Sequence, residues 1–464
     1  QILSEFTQIK MDPKCINVNH FSQGSYAGYD IRFSSQSDDE LTQVSPYTPC
    51  GEYLRRFWHP IYITDDLKDL PVALKILGEE LVLFRDLSGQ LGLVHKHCPH
   101  RLASLEYGKC EEHGIRCCYH GWHFDTDGTL LDAPGQPKKL NENLKHRIKL
   151  GAYPVLQYKG LIFSYMGPIG EIPEFQIFDA MAFENMEMVP YKAVFRCNWL
   201  QVLDAILDPL HTSFLHSNIG RMQFSEGFGE VGQMDFFERS VWLLGVNTRR
   251  VGDLVWLRVN ELVLPNFTQA GSAFAADGTE RRLYGRSSFT RWVVPVDDEN
   301  TMALAWANFG ERGDPPEWNT PDGPELIEQG EVFNRNYEER QRSPGDAEAT
   351  EGMGSITIHK NENLVVSDRG ITILRKRLRE QIRAVRKGQT PARAHRAESG
   401  CIPTYGGDTI LRISRSGDHN EAQILSNLAH SFMEIQYQAD AMNEQERVQF
   451  VSEKLLELEA SALG

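Results

Sequence analysis

Cys98-Pro99-His100-Arg101, followed downstream by Cys117-Cys118-Tyr119-His120-Gly121-Trp122-His123-Phe124, carries a density of metal-binding side chains that recurs nowhere else in the 464 residues. Six of the 15 histidines (His95, His97, His100, His113, His120, His123) and four of the eight cysteines (Cys98, Cys110, Cys117, Cys118) fall within residues 95–123, where even spacing would put about one histidine. Core packing does not produce such clustering, whereas a metal site does. Two short loops, C-x-H and C-x-x-H, each offer one thiolate and one imidazole. Such a set holds either one tetrahedral zinc or a two-iron cluster, with two Cys on one iron and two His on the other. The loops carry Pro99, Gly114 and Gly121 and lie between strand-like runs, with no finger helix bearing an H-x₃₋₅-H pair, which favours the cluster. Cys118 makes C-x-H with His120 and competes with Cys117, but the paired-loop spacing favours Cys117. Cys118 and Cys110 then read as bystander thiols, and His95, His97, His113 and His123 as structural or surface groups.

Outward from this stretch, residues 73–77, 81–85 and 91–95 are short apolar runs separated by Gly-containing turns, and residues 120–125 end in Thr126-Asp127-Gly128. That is the pattern of strands and hairpins, and it predicts an all-β domain over 46–165, preceded by a polar arm over 1–45. A Pro-rich link at 168–173 leads to a second domain over 175–464. There, residues 195–217 have helical spacing, 240–295 read as an antiparallel meander, 313–324 as a loop, and 371–387 and 423–458 as helices. Strands in one block with helices at its ends make the chain α+β.

With 48 basic and 64 acidic residues the formal charge is −16, which disfavours nucleic acid as a partner. No apolar run approaches the ~18 residues of a membrane span. Residues 1–10 lack a basic start followed by an apolar stretch, so a cytoplasmic location is expected, with the cysteines as ligands or free thiols.

A second constellation is Asp208-Pro209-Leu210-His211-Thr212-Ser213-Phe214-Leu215-His216. Two His and a carboxylate form the facial triad of non-haem Fe(II) oxygenases, with positions left open for O₂. D-x-x-H-x₄-H is weak alone, but an electron-transfer cluster upstream requires a redox acceptor.

The first motif resembles the Rieske domain of the ring-hydroxylating oxygenases. Tyr53-Leu54-Arg55-Arg56-Phe57-Trp58-His59-Pro60 and residues 78–86 resemble its phthalate-dioxygenase-like branch. Cys197-Asn198-Trp199-Leu200-Gln201-Val202-Leu203-Asp204, running into the second motif, resembles the family's N-W-L-Q … D-x-x-H-x-x-F-L-H signature. Asp346-Ala347-Glu348-Ala349-Thr350-Glu351-Gly352-Met353-Gly354-Ser355-Ile356 resembles the branch's D-x-x-x-Q-E-G-x-G-P-I, with Ser367-Asp368-Arg369-Gly370-Ile371 after it. Departures are Cys118 for Pro, Asp204 for Glu, and Thr350, Met353 and Ser355 for Gln, Gln and Pro. The resemblance runs over about 48–390.

It implies a terminal oxygenase α-subunit with an all-β Rieske domain and a helix-grip catalytic domain, an antiparallel sheet with helices. Cys98, His100, Cys117 and His120 would bind a [2Fe–2S] cluster, and His211, His216 and Asp346 a mononuclear Fe(II). Asp368 is the nearest rival to Asp346, though better suited to capping the next helix. Asp208 would bridge to His120 of a neighbouring subunit. Electrons from NAD(P)H would come through a flavin/iron–sulfur reductase or a ferredoxin, since no Rossmann G-x-G-x-x-G stands in a strand–helix context. O₂ would then hydroxylate, dihydroxylate or oxidatively demethylate a small aromatic substrate, in a homotrimer or stacked trimers without a β-subunit. A zinc hydrolase and an electron-transfer Rieske protein with a ligand-binding domain are the rival readings.

Eight basic residues within 369–387 read as a solvated helix face, or as a docking patch for an acidic donor. Arg249-Arg250 and Arg281-Arg282 read as surface turns, or as clamps for a substrate carboxylate. Trp199 and Phe214 are expected in the core, and Asn260, Leu262, Leu264 and Phe267 around a pocket.

Overall fold

The hairpin runs at the start of the first domain form as their alternation dictates. The protein is represented by a computed structural model that describes Gly28 and residues 31–182, 186–218, 226–271, 281–287, 289–310, 335–415 and 420–462. Val72–Ile76, Glu79–Arg85, Leu91–His95 and Ala152–Tyr153 pair antiparallel in one four-stranded sheet. Lys109–Cys110, Ile115–Arg116, His123–Phe124 and Leu130–Asp132 form a second, and Trp58–Ile63, Leu161–Tyr165 and Val155–Tyr158 a third sheet of three strands. Leu77 and Gly78, both at positive φ, make the two-residue turn that matches strand twist. Their free N–H groups donate to Pro295 and Val296 carbonyls at 3.0 and 2.9 Å, so this turn also joins the two halves of the chain.

Two details differ from the sequence reading. The strand expected over 120–125 is only His123–Phe124, because Gly121 N donates to Cys117 O and Cys117 N to Trp122 O, closing a turn before it. A helix, Lys138–Arg147, also interrupts the strands; none of its residues is buried, and Asn141 anchors it to Asp132 and the Ala133 N–H.

The second half is one large antiparallel sheet in the order Met186–Phe195, Thr301–Gly310, Phe289–Pro295, Phe267–Ala270, Leu254–Val263, Trp242–Val251, Gln233–Arg239. Gly407–Arg412 pairs with Leu254–Val263 and with Arg282–Arg286. Helices Arg369–Arg386, Glu421–Gln438 and Glu444–Ala462 lie against it, and the run expected as one helix over 423–458 is broken at Ala439. The segment 313–324 lies outside the described residues.

One apolar core runs through both halves, from Leu81 and Phe163 to Trp292, Trp306 and Leu378. A second, smaller core of Val82, Phe84, Ile115, Phe124 and Leu130 also buries Cys98 and Cys117. Residues 31–40 of the arm are exposed or half-buried, whereas its end packs inward, with Leu41 and Val44 fully buried. Its acidic turn meets the basic helix, where Arg379 pairs with Asp38 and Glu40, and Arg383 with Glu40 at 2.7 Å. Arg375, Arg377, Arg379 and Arg383 of helix Arg369–Arg386 are thus paired within the chain, while Arg369, Lys376 and Arg386 face solvent, in line with the solvated-face reading.

Arg249 and Arg250 lie inside strand Trp242–Val251, not in a turn; Arg249 is fully buried, and Arg250 pairs with Glu421 at 2.7 Å. Arg281 pairs with Glu459, and Arg282 opens a strand. Leu262, Leu264 and Phe267 belong to the core, not a pocket, while Asn260 donates to the Ile206 carbonyl at 3.1 Å. Trp199 is buried as expected, whereas Phe214 is exposed.

Candidate functional site

Two loops at the tip of the first domain bring the first motif together. Cys98 and Cys117 are buried, their thiols side by side above the small core. Burial, with Cys117 beside it adding to the effect, pushes the Cys98 thiol up to about 11. Two adjacent thiols so placed ionise readily only if a cation compensates them, which fits a metal. The His100 and His120 rings lie 4.5 Å apart at 72°. Trp122 stacks flat on His100 at 4.5 Å and 4°, fixing that ring, and Arg116 holds the loop through the Gly121 carbonyl at 2.8 Å. Gly121 has φ +72, and a Cβ there would come within 2.9 Å of Pro134 Cγ, so only glycine fits this turn. His120 and Cys118 face solvent. A paired buried thiol set beneath two imidazoles suits a cluster with sulfur ligands on one iron and nitrogen ligands on the other.

The second motif begins as helix Trp199–Asp204, tightens to a 3₁₀ turn at Ala205–Leu207, restarts as Pro209–Ser213, and widens to a π turn at Phe214–Asn218. In a regular α-helix residues five apart point ~140° from each other. The π turn, with its i→i+5 pattern, returns His216 to the side of His211; their ring centroids lie 5.5 Å apart. Asp208 caps the restarted helix by accepting from the His211 N–H, and its carbonyl contacts His211 Nδ1, turning Nε2 toward the centre.

Asp346 Oδ1 sits 3.3 Å from His216 Nε2 and 3.6 Å from His211 Nε2. One donor atom from each of these three residues lies within 4.8 Å of the other two, the only such group of His, Cys, Asp or Glu among the described residues. Burial opposes ionisation of Asp346, but His216, His211 and Arg291 outweigh it and hold the carboxyl well below the usual range. Asp346 keeps 51% of its side chain open, so the centre has an accessible side. Asp368 is not in the group: its carboxylate accepts from Val365 N at 2.7 Å, and it makes no side-chain cap to the helix after it.

Several residues quoted above only as signature build this geometry. Asn198 caps helix Trp199–Asp204 and ties it to the Thr42 carbonyl. Gln201 donates to the Thr350 and Gly354 carbonyls at 2.8 and 3.0 Å and accepts from Thr357 N at 2.9 Å, clamping helix Asp346–Glu351 beside the histidines. Glu348 anchors the same helix to Arg335 and Arg340. A Cβ at Gly370 would lie 2.3 Å from the Leu207 carbonyl, so glycine lets the basic helix approach the histidine helix.

Residues 57–154 match the Rieske [2Fe-2S] domain family. Over 94% of this chain and 97% of the relative, the sequence is 36% identical to the tert-butanol monooxygenase / tert-amyl alcohol desaturase oxygenase subunit of Aquincola tertiaricarbonis. The chain is a Rieske non-haem iron oxygenase. The phenoxybenzoate dioxygenase subunit alpha of Ectopseudomonas oleovorans is 34% identical over 82% of this chain and 91% of its own. In fold the oxygenase is similar to dicamba monooxygenase bound to dicamba, with TM-score 0.52 and 16% identity over 72% of this chain and 99% of that one. As the terminal oxygenase component of its system, it works with a Rieske [2Fe–2S] cluster, a mononuclear Fe(II) and O₂, and draws NAD(P)H electrons through a separate reductase. Among the described residues no helix is long and apolar enough to cross a membrane.

Proposed function

We propose that Cys98, His100, Cys117 and His120 hold the cluster, and that His211, His216 and Asp346 hold the mononuclear iron. The observation that carries this is the convergence within 4.8 Å of two imidazoles, one in the Pro209–Ser213 helix and one in the π turn that follows it, with a carboxylate from helix Asp346–Glu351. When bound, the iron supplies the centre at which O₂ is activated. The chain's residues do the rest. Asp346 brings negative charge to a divalent cation, Asp208 holds the His211 ring by its Nδ1 side, and the open face beside Asp346 admits substrate.

Asp208 remains partly exposed, and His120 lies at the tip of the first domain. Asp208 of one subunit meets His120 of the next in a closed homotrimer, or in stacked trimers, giving electrons a short hydrogen-bonded route. The substrate is a small aromatic molecule, hydroxylated, dihydroxylated or oxidatively demethylated. The electron donor is a flavin/iron–sulfur reductase or a ferredoxin. Seven described cysteines are free, which supports a cytoplasmic setting.

Replacing Asp346 with Ala tests the assignment. The variant is expected to keep its cluster and EPR signal, to lose mononuclear iron, and to form no product. Normal iron content with turnover in that variant overturns it.

A further inference from the structure

We propose that Asp204 relays protons from bulk water to the mononuclear iron centre through a cavity behind His211. The proposal rests on the metal assignment above. Hydroxylation balances as R–H + O₂ + 2 e⁻ + 2 H⁺ → R–OH + H₂O, and dihydroxylation also takes up two electrons and two protons. The electrons arrive through the cluster from the reductase, and the protons come from water.

A cavity of about 110 Å³ is lined by His211 and Asp346 and also by Asp204, Glu362 and Arg375. Glu362 and Arg375 also line a groove of about 1080 Å³ on the protein surface, so the cavity and the groove share these two residues. At ~30 Å³ each, three or four waters fit within it. Ordered water needs polar partners, and two stand ready: Asp204 Oδ1 and Thr357 Oγ1, both from cavity-lining residues, are buried and have no hydrogen-bond partner.

The charges favour a mobile proton at Asp204. Its Oδ2 accepts from Arg375 Nε and Nη2 at 3.2 and 2.6 Å, and the same guanidinium serves Glu362 at 2.5 and 2.9 Å. Asp204 and Glu362 therefore share one guanidinium; Asp208, which carries the His211 imidazole, adds its negative charge at Asp204, and His359 lies beyond Arg375. Crowded carboxylates hold one proton in common. Burial, reinforced by Glu362 and Asp208 and opposed by Arg375, pushes the Asp204 carboxyl up to about 7. In each cycle the Oδ1–H passes its proton to a cavity water on the iron side, and the carboxylate regains one from water on the groove side.

Two measurements on the full chain test this. In iron-depleted protein, infrared difference spectra between pH 5 and 9 are expected to show protonated-carboxyl absorption that fades as pH rises through about 7, from Asp204 and from Glu261, which burial also pushes up to about 7; the Asp204 component is lost in Asp204→Asn and the Glu261 component stays. In single turnovers of holoenzyme, Asp204→Asn is expected to slow product formation by ~10–100-fold and to flatten its pH profile, with iron content and cluster spectrum unchanged. Asp204→Glu restores the rate to within a few-fold. Should Asp204→Asn fail to fold, Thr357→Val removes the other cavity partner and is expected to slow turnover and raise the solvent isotope effect. Titrating absorption unchanged by Asp204→Asn, or wild-type rate and pH profile in Asp204→Asn or Thr357→Val, overturns the proposal. Wild-type protein lacking mononuclear iron refutes the metal assignment instead, and the infrared arm still decides Asp204.

Discussion

Replacing Gln201 with Ala isolates the contact that brings the Asp346 carboxylate to His211 and His216, the proposed iron ligands. Gln201 is 4% exposed and makes three hydrogen bonds, to Thr350 O, Gly354 O and Thr357 N. Thr350 O keeps a second partner in Met353 N, and Gly354 is exposed enough for water to take its carbonyl. The Thr357 N–H, in a buried residue, is left unpaired. One stranded donor at ~1–3 kcal/mol and two partly replaced bonds at ~0.5 kcal/mol each give a cost of about 2–4 kcal/mol. It falls on the anchoring of helix Asp346–Glu351 rather than on the two cores. If it is taken from metal binding, affinity for mononuclear Fe(II) drops by roughly 30–700-fold, at ~1.4 kcal/mol per decade. Anaerobic Fe(II) titration of protein with an intact cluster reads this directly, beside the cluster's visible spectrum and a melting curve. Wild-type iron affinity with a lowered melting temperature would show that Gln201 supports the fold and not the site.

Other outcomes follow from the same geometry. Cys118→Ala removes an exposed thiol and is expected to leave the Rieske EPR signal intact, while Cys117→Ala abolishes it; the reverse pattern exchanges their roles. Asp208→Asn should keep both metals but lower product formation by ~100-fold, with the reduced cluster failing to reoxidise in rapid mixing; fast reoxidation with full product yield removes Asp208 from the electron route. Burial opposes ionisation of Glu79, but His95, Tyr153 and Arg55 outweigh it and hold the carboxyl down to about 2. Its folded value lies below the unfolded one, so its stabilisation is present above about pH 4.5 and lost as pH falls toward 2. Glu79→Gln should therefore be less stable at neutral pH and flatten that acid limb in denaturant titrations; an unchanged limb contradicts the pairing.

The Rieske domain was legible in the sequence because its marks are local: C-x-H and C-x-x-H sit on tight turns, and turn chemistry is written in neighbouring residues. The strand meander was legible from alternation. The histidine helix was legible only in part. Its apolar spacing marks a helix over 195–217, but the π turn that joins His211 to His216 leaves no signature beyond the five-residue gap. Asp346 came from family resemblance, since no local rule selects one carboxylate among dozens. The clamp by Gln201 and the neutralising of Arg379 and Arg383 by Asp38 and Glu40 span over 140 and 330 residues, and pairings at that range follow from the folded topology alone. Strand residues Arg249 and Arg250 misled for the opposite reason: charge suggests a surface, but here a strand carries Arg249 inward against Phe228 and Trp256.

The central claim is that one chain carries a two-iron cluster and a separate mononuclear iron. Metal and acid-labile sulfide analysis of anaerobically purified protein, with EPR of the reduced form, tests it most directly. The account predicts three irons and two sulfides per chain, with a Rieske-type signal. Colourless protein holding zinc, or two irons per chain with the His211, His216 and Asp346 site taking up none, would contradict it.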